Sequence, residues 1–309
     1  MQKNMRVRVV VITAIIAVAS LGIATIIGFA AGGFRPARFG GFGAAVDERK
    51  SVSLAGIDLV SVTSVSEDVR VLEATGDSVE VWLHGTASAA DPASVPRLAA
   101  EAKGGTIDIR LERKTRWVTG FNWSDLVLEV SIPKGYAGKL SVEGVSADIE
   151  ISDHAYAGVS LASTSGDIRV GAVGAADFSM HTTSGNLRAA SLAAERCELS
   201  SVSGDIEVKS LSGGVNAHTT SGEVALTLAE AFPRAEVGST SGDVTLRLPA
   251  DAQFSLEARS TSGNVTCAFP ITIADSRSGG GRNALSGTVG GGKGSVSVRT
   301  VSGDIRVAK

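Results

Sequence analysis

One tetrapeptide, Ser-Gly-(Asp/Asn/Glu)-(Ile/Leu/Val), returns seven times in the second half of this chain. Its glycines are Gly166, Gly185, Gly204, Gly222, Gly242, Gly263 and Gly303, separated by 19, 19, 18, 20, 21 and then 40 residues. The long last step leaves room for one degenerate turn, which Ser286-Gly287-Thr288-Val289 fills, and Ser146-Ala147-Asp148-Ile149 reads as a worn copy upstream. A period near 20 residues is the signature of stacked units, each burying its apolar face on its neighbours.

Within each repeat, counted from the glycine as position zero, positions −7 and −5 are mostly apolar, as in Val159/Leu161, Phe178/Met180 and Cys197/Leu199. Positions −6 and −4 between them are mostly polar, and +2 and +4 are apolar again, as in Ile168/Val170 and Ile206/Val208. Alternation of period two marks strands with one face in and one face out. Each repeat therefore reads as two short strands joined at a glycine corner, where φ must be positive or the backbone is crowded. Position −3 is Ser or Thr in all seven copies, on the inward face. A buried hydroxyl needs a partner, which the corner backbone or the next coil would supply. The fold class is all-β: a β-solenoid of stacked two-strand coils of about 19 residues, preceded by one N-terminal transmembrane helix.

That helix is the segment Val9–Ala31, 23 residues without a charge. At 1.5 Å per residue it is long enough to cross a hydrocarbon core of about 30 Å. Lys3, Arg6 and Arg8 precede it, which favours a cytoplasmic N-terminus and an exported remainder. A cleaved signal peptide, cut near Phe29-Ala30-Ala31, is the competing reading, but secretory apolar regions run only about 7–15 residues. The chain divides into a cytoplasmic start (1–8), the transmembrane helix (9–31), a linker rich in Gly, Arg and Phe (32–50), an irregular β part (51–140) and regular repeats (141–309). In the irregular part, residues 68–71, 78–82, 107–111 and 126–132 read as strands. Ser94–Lys103 reads as a short helix ended by Gly104-Gly105.

The coils and the Gly-rich tail, Leu285-Ser286-Gly287-Thr288-Val289-Gly290-Gly291-Gly292 followed by Val296 to Ile305, resemble the bacterial "putative adhesin" family, domain of unknown function 4097. The resemblance covers roughly residues 50 to 309. It implies a β-solenoid-like protein of the cell envelope and supplies no catalytic residues.

Several patterns suggest chemistry. The acidic ladder Asp148, Asp167, Asn186, Asp205, Glu223, Asp243, Asn264, Asp304 could bind calcium, but the calcium-binding β-roll uses a Gly-Gly-x-Gly-x-Asp nonapeptide. Capping of the corner backbone is the favoured role. His181 and His218 share an identical His-Thr-Thr-Ser-Gly string two coils apart, too few ligands for zinc, and read as exposed histidines. Gly287–Gly294 approximates a phosphate-binding loop, but Gly294 stands where Ser/Thr is required and a strand follows instead of a helix. It reads as a flexible connection.

Arg113, Arg116, Trp117, Phe121 and Trp123 concentrate cations and rings in one short stretch. A hairpin tip of this kind could meet lipid headgroups or a glycan, or plug the first coil. These five residues are the candidate contact surface. Catalytic, cofactor and metal residues are expected to be none, and a net charge of −3 gives no pull toward nucleic acid. Two cysteines, Cys197 and Cys267, are placed three coils apart and expected to stay buried and unpaired.

The functional expectation is a single-pass, membrane-anchored, extracytoplasmic binding or structural protein, not an enzyme. Its expected partners are the membrane, an envelope protein or glycan, and a second copy meeting the open edge of the C-terminal coil. The alternatives are a self-assembling envelope scaffold and a carbohydrate-active solenoid enzyme.

Overall fold

The computed structural model describes residues 44–88, 95–112, 123–229, 232–273 and 283–309. The segment Val9–Ala31 lies outside them, and none of their elements is a helix long and apolar enough to cross a membrane. All described regular elements are β-strands, joined in a single 22-stranded sheet that folds round one core.

Two ladders of parallel strands run along the stack, one on each side of the corner. The first carries the residues before the corner glycine: Leu59–Ser64, Lys139–Gly144 and Gly158–Ser163 stack on one another, then on the later halves of Ile168–Ser184, Leu187–Ser203 and Ile206–Ser221, then on Arg234–Ser241. The second carries the residues after it, from Asp68–Ala74 through Ile149–Ile151 to Val224–Leu228 and Val244–Arg247. Alternation decides which side chains enter: along Phe254–Ser260 every second residue is buried, beginning with Phe254. With few rings available, Val, Ile and Leu fill a narrow interior in which most are less than 5% exposed.

The corner is where coils recognise each other. The hydroxyl at −3 donates to the glycine carbonyl of the adjacent coil: Thr182 Oγ1 to Gly166 O (3.3 Å), Ser201 Oγ to Gly185 O (3.2 Å), Thr219 Oγ1 to Gly204 O (3.0 Å) and Ser239 Oγ to Gly222 O (3.0 Å). That same carbonyl lies where a Cβ on the corner glycine would go. A Cβ on Gly204 would sit 1.9 Å from Gly185 O, and one on Gly242 1.9 Å from Gly222 O. None of the seven corner glycines has positive φ. The left-handed turn is absent, and close approach of the neighbouring backbone is what demands glycine.

The residue at +1 completes the corner. Asp148 Oδ1 accepts from Asp167 N (2.8 Å), Asp167 Oδ1 from Asn186 N (2.8 Å), Asn186 Oδ1 from Asp205 N (3.0 Å) and Asp205 Oδ1 from Glu223 N (2.9 Å). Each side chain thus caps the backbone of the coil above it. Where the motif is worn, the fit is restored locally: Ala147 replaces the corner glycine and Gly144 replaces the −3 hydroxyl, leaving room for the Ala147 Cβ. In the coil before, Glu67 holds the glycine position, buried, and accepts from Ser66 N and Ser64 Oγ.

Spatial order departs from chain order at both ends. The strands Thr106–Glu112 and Trp123–Pro133 form the outermost coil, so Leu59–Ala74 lies between them and the coil Lys139–Ile151. At the other end, Gly294–Thr300 and Ile305–Ala308 insert between the coil Arg234–Arg247 and the coil of Phe254–Ser260 and Val265–Cys267. The coil expected to end the stack with an open edge is therefore paired on both sides. Ser286–Val289 is not a degenerate coil but part of the strand Ala284–Val289, which runs antiparallel along Phe254–Ser260 and covers it.

Antiparallel strands also cover the N-terminal end. Ser78–Ser88 pairs with Trp123–Pro133, and Ala44–Ser53 pairs with Ser78–Ser88. Residues 44–50, expected as linker, are strand: they pair with Val81–Ala87, and Val46 enters the core. The helix expected over Ser94–Lys103 is instead the strand Arg97–Lys103, folded back on Thr106–Glu112. Gly104 and Gly105, at φ +59° and +77°, form the two-residue turn that suits a hairpin, and pairing overrides the helix propensity of Leu-Ala-Ala-Glu-Ala. Both cysteines are free, with Cys197 buried and Cys267 only half-buried. The insertion of the last coil sets them four coil steps apart, about 19 Å along the stack.

Two outcomes follow from the corner geometry. Gly204→Val should cost more than about 2 kcal/mol by driving a side chain into the Gly185 carbonyl. Gly204→Asn should be no better tolerated than Gly204→Ala, although Asn is the residue that best accepts positive φ. Glu207→Thr, in the same coil but on the outer face, should stay within about 0.5 kcal/mol. Urea melts check this; rescue by Asn would restore the left-handed corner.

Asp205→Asn should leave stability nearly unchanged, because Asn186 already caps the same way, whereas Asp205→Ala should lose about 1 kcal/mol with the bond to Glu223 N. Added calcium should leave the melting temperature of all three proteins where it was. A rise confined to the parent chain, which alone keeps Asp205, would make the ladder a cation site.

Candidate functional site

Arg113, Arg116, Trp117 and Phe121 lie outside the described residues, and of Trp123 only the backbone is described, paired with Ser88 at the start of its strand. Trp123 thereby opens a strand of the antiparallel sheet that closes the N-terminal end of the stack. The sheet has one face on the core, through Val79, Val81 and Leu83, and the opposite face outward.

The outward face carries Trp82 and the groups gathered about it. Arg49, its cross-strand partner, places its guanidinium 4.1 Å from the ring centroid. The indole Nε1 donates to Asp47 Oδ1 at 2.7 Å. His84, two residues along the same strand and on the same side, lies 3.9 Å from the Trp82 ring, centroid to centroid. His84 Nε2 is 3.3 Å from Glu129 Oε1 on the next strand, and protonation would make that contact an ion pair. The arrangement combines an aromatic plane, a cation over it and two carboxylates, suited to a ligand with both an apolar ring face and polar groups. Among the described residues, every Tyr and Phe is buried, so Trp82 is their outward-facing ring. Sequence reasoning passed over it although the signal was present: in Ser78-Val79-Glu80-Val81-Trp82 the inward valines put Trp82 outside.

The flank of the stack offers a second concavity, an open groove of about 350 Å³ lined by Glu150, Arg169, Arg188, Glu207, Lys209 and small residues such as Gly171 and Ala190. Its two arginines are occupied. Arg169 joins Asp148 (3.2 Å) and Asp167 (2.6 Å), and Arg188 approaches Asp167 (3.4 Å) and Glu207 (3.8 Å). These contacts neutralise the acidic ladder beside them and leave the groove without net pull on an anion.

The remaining sequence candidates resolve into structure. His181 is half-buried, not exposed, and burial pushes its pKa below the usual histidine value. His218 is exposed, with Ser200 between them in the register. Among the described residues no cluster of three His, Cys, Asp or Glu side chains could hold a metal ion. The Cys197 thiol is pushed up to about 12 by burial and is no nucleophile at neutral pH. The loop Gly290–Lys293 crosses the end of Phe254–Ser260: Gly291 N donates to Gln253 Oε1 (3.3 Å) and Gly294 N to Gln253 O (2.9 Å). Its glycines serve that crossing, at φ +57° for Gly290 and +63° for Gly292.

No curated protein matches the chain in sequence. Among solved structures it is similar to a "putative adhesin" from Bacteroides fragilis, at 12% identity and a TM-score of 0.48, over 89% of this chain and 100% of that one. It is similar to a "putative lipid binding protein" from Parabacteroides distasonis, at 13% identity and a TM-score of 0.40, over 85% and 97%. A "putative cell adhesion protein" from Clostridium sporogenes gives 11% identity and a TM-score of 0.31, over 86% and 99%. The sequence model of the Toastrack family matches residues 57–308, from just before the strand Leu59–Ser64 to the last strand, and the chain therefore belongs to the Toastrack DUF4097 family.

Proposed function

We propose that this chain is a non-catalytic binding protein of the bacterial cell envelope, held in the membrane by Val9–Ala31 and exposing its coil stack outside the cytoplasm. The observation that carries the reading is the outward cluster of Trp82, Arg49, Asp47, His84 and Glu129 on a stack whose described Tyr and Phe rings are buried. Exposed aromatic–cation clusters of this kind recur where proteins bind partners.

Chain order supports placing that face near the membrane. The cluster's strand Ala44–Ser53 begins after residues 32–43. Those twelve residues reach at most about 40 Å when extended. A ligand at the cap face would then be a glycan, lipid headgroup or protein segment of the envelope, met close to the bilayer. Arg113, Arg116, Trp117, Phe121 and Trp123, which are close in sequence to the strand Trp123–Pro133 beside this cluster, are proposed to extend the contact.

Topology is tested in intact spheroplasts. The full chain should fractionate with membranes, retain its start near Met1 and lose its coil stack to external protease. A mature N-terminus near Gly32 would remove the anchor, and a protected stack would remove export.

Binding is tested by pull-down from envelope extract with the detergent-solubilised chain. Trp82→Ala and Arg49→Ala should each abolish capture of whatever the parent chain retains, and Arg188→Ala in the flank groove should not. Loss with Arg188→Ala alone would move the site to the flank.

A further inference from the structure

The last coil fills a slot whose two walls are both earlier in the chain. Strand Gly294–Thr300 lies between Arg234–Ser241 and Phe254–Ser260, and Ile305–Ala308 lies between Val244–Arg247 and Val265–Cys267. Its inward residues Val296, Val298, Ile305 and Val307 are at most 1% exposed. Its corner engages both walls with the full set of repeat contacts. Thr300 Oγ1 donates to Gly242 O (3.1 Å) and Asp304 N to Asp243 Oδ1 (2.8 Å). On the other side Ser260 Oγ donates to Gly303 O (2.8 Å) and Asn264 N to Asp304 Oδ1 (2.8 Å).

We propose that this slot also accepts the last coil of a second copy of the chain, so that two molecules pair by exchanging residues 294–309. Every contact just described is between the inserted coil and its walls, and each is satisfied equally by a coil from another molecule. The two states differ at the hinge. Strands Ala284–Val289 and Gly294–Thr300 flank Phe254–Ser260 on opposite sides, so residues 290–293 must cross two strand spacings, about 10 Å, over the strand's end. The closed crossing holds Gly290 and Gly292 in left-handed backbone and ties Gly291 N to Gln253 Oε1. An opened hinge is free of both constraints. A vacated slot would present two facing strand edges with unpaired N–H and C=O groups, a template that another strand fills readily. Exchange of an identical element is a low-cost route to a dimer.

The test uses the full chain in detergent carrying Glu257→Cys and Ser297→Cys. These positions face each other in register on adjacent parallel strands, within disulfide reach. In the closed monomer the bond forms within one chain, and in the exchanged pair it links two chains, which a non-reducing gel separates. After unfolding, refolding at increasing concentration and oxidation, a covalent dimer is expected. Its ratio to monomer should rise about tenfold for a tenfold rise in concentration while monomer predominates. The parent chain, with only Cys197 and Cys267, should give none. Removing Gly291 and Gly292 should raise the dimer further, because the shortened crossing no longer spans Gln253. Bonds formed only within chains at every concentration of the parent-hinge variant would overturn the proposal, as would a dimer whose engineered bonds are all intrachain. The concentration series decides the matter even if the shortened hinge does not fold.

Discussion

Everything in this stack depends on one carbonyl oxygen per coil. At each regular corner the glycine carbonyl accepts the hydroxyl of the neighbouring coil and occupies the space a Cβ would need there. Ser or Thr at −3 and Gly at zero are therefore two answers to the same oxygen, and neither can change alone. The side chain at +1 adds a third link by capping the next coil's amide. All three contacts run between coils, so the motif encodes stacking rather than the shape of an isolated turn. Ala147 with Gly144 shows the coupling directly: a methyl gained at the corner is accommodated by a side chain lost at −3.

The alternation of Val, Ile and Leu was enough to read strands, faces and coil period, because inward and outward positions differ by about a side chain's transfer free energy. The reason for glycine stayed open. Positive φ and backbone crowding leave the same residue in a sequence, and only the position of the next coil tells them apart. Coil order was also hidden, since Phe254–Cys267 and Gly294–Ala308 carry equivalent motifs and either could stack on Arg234–Arg247. What separates them is Ala284–Val289, whose antiparallel pairing occupies the outer edge of Phe254–Ser260. In the irregular part, Gly104-Gly105 served as a hairpin turn where a helix stop was expected.

The candidate site was legible in kind but not in place. A stretch with Trp117, Phe121 and Trp123 drew attention by composition, yet the ring with described partners is Trp82, singled out by its outward phase among buried valines. Repeats obscured it further, because the most conspicuous polar residues, the +1 acids and the −3 hydroxyls, are spent on their neighbours. What remains for an outside partner is in the parts that do not repeat. Repeated coils set length and rigidity, and the unrepeated cap sets chemistry.

The insertion of coils at both ends bears on how such a chain acquires its structure as it is made or threaded through a membrane, N-terminus first. A simple stack could add one layer at a time behind the emerging chain. Here Leu59–Ala74 has neither of its neighbours until residues 106–133 have appeared and gains the second only with residues 139–151, and Phe254–Cys267 cannot settle on the stack until Ala308 has. The array is therefore completed at its two ends by returns of the chain, and its final layer is an interior one. Synthesis stalled short of the last coil leaves a gap inside the wall rather than a shorter version of the same wall.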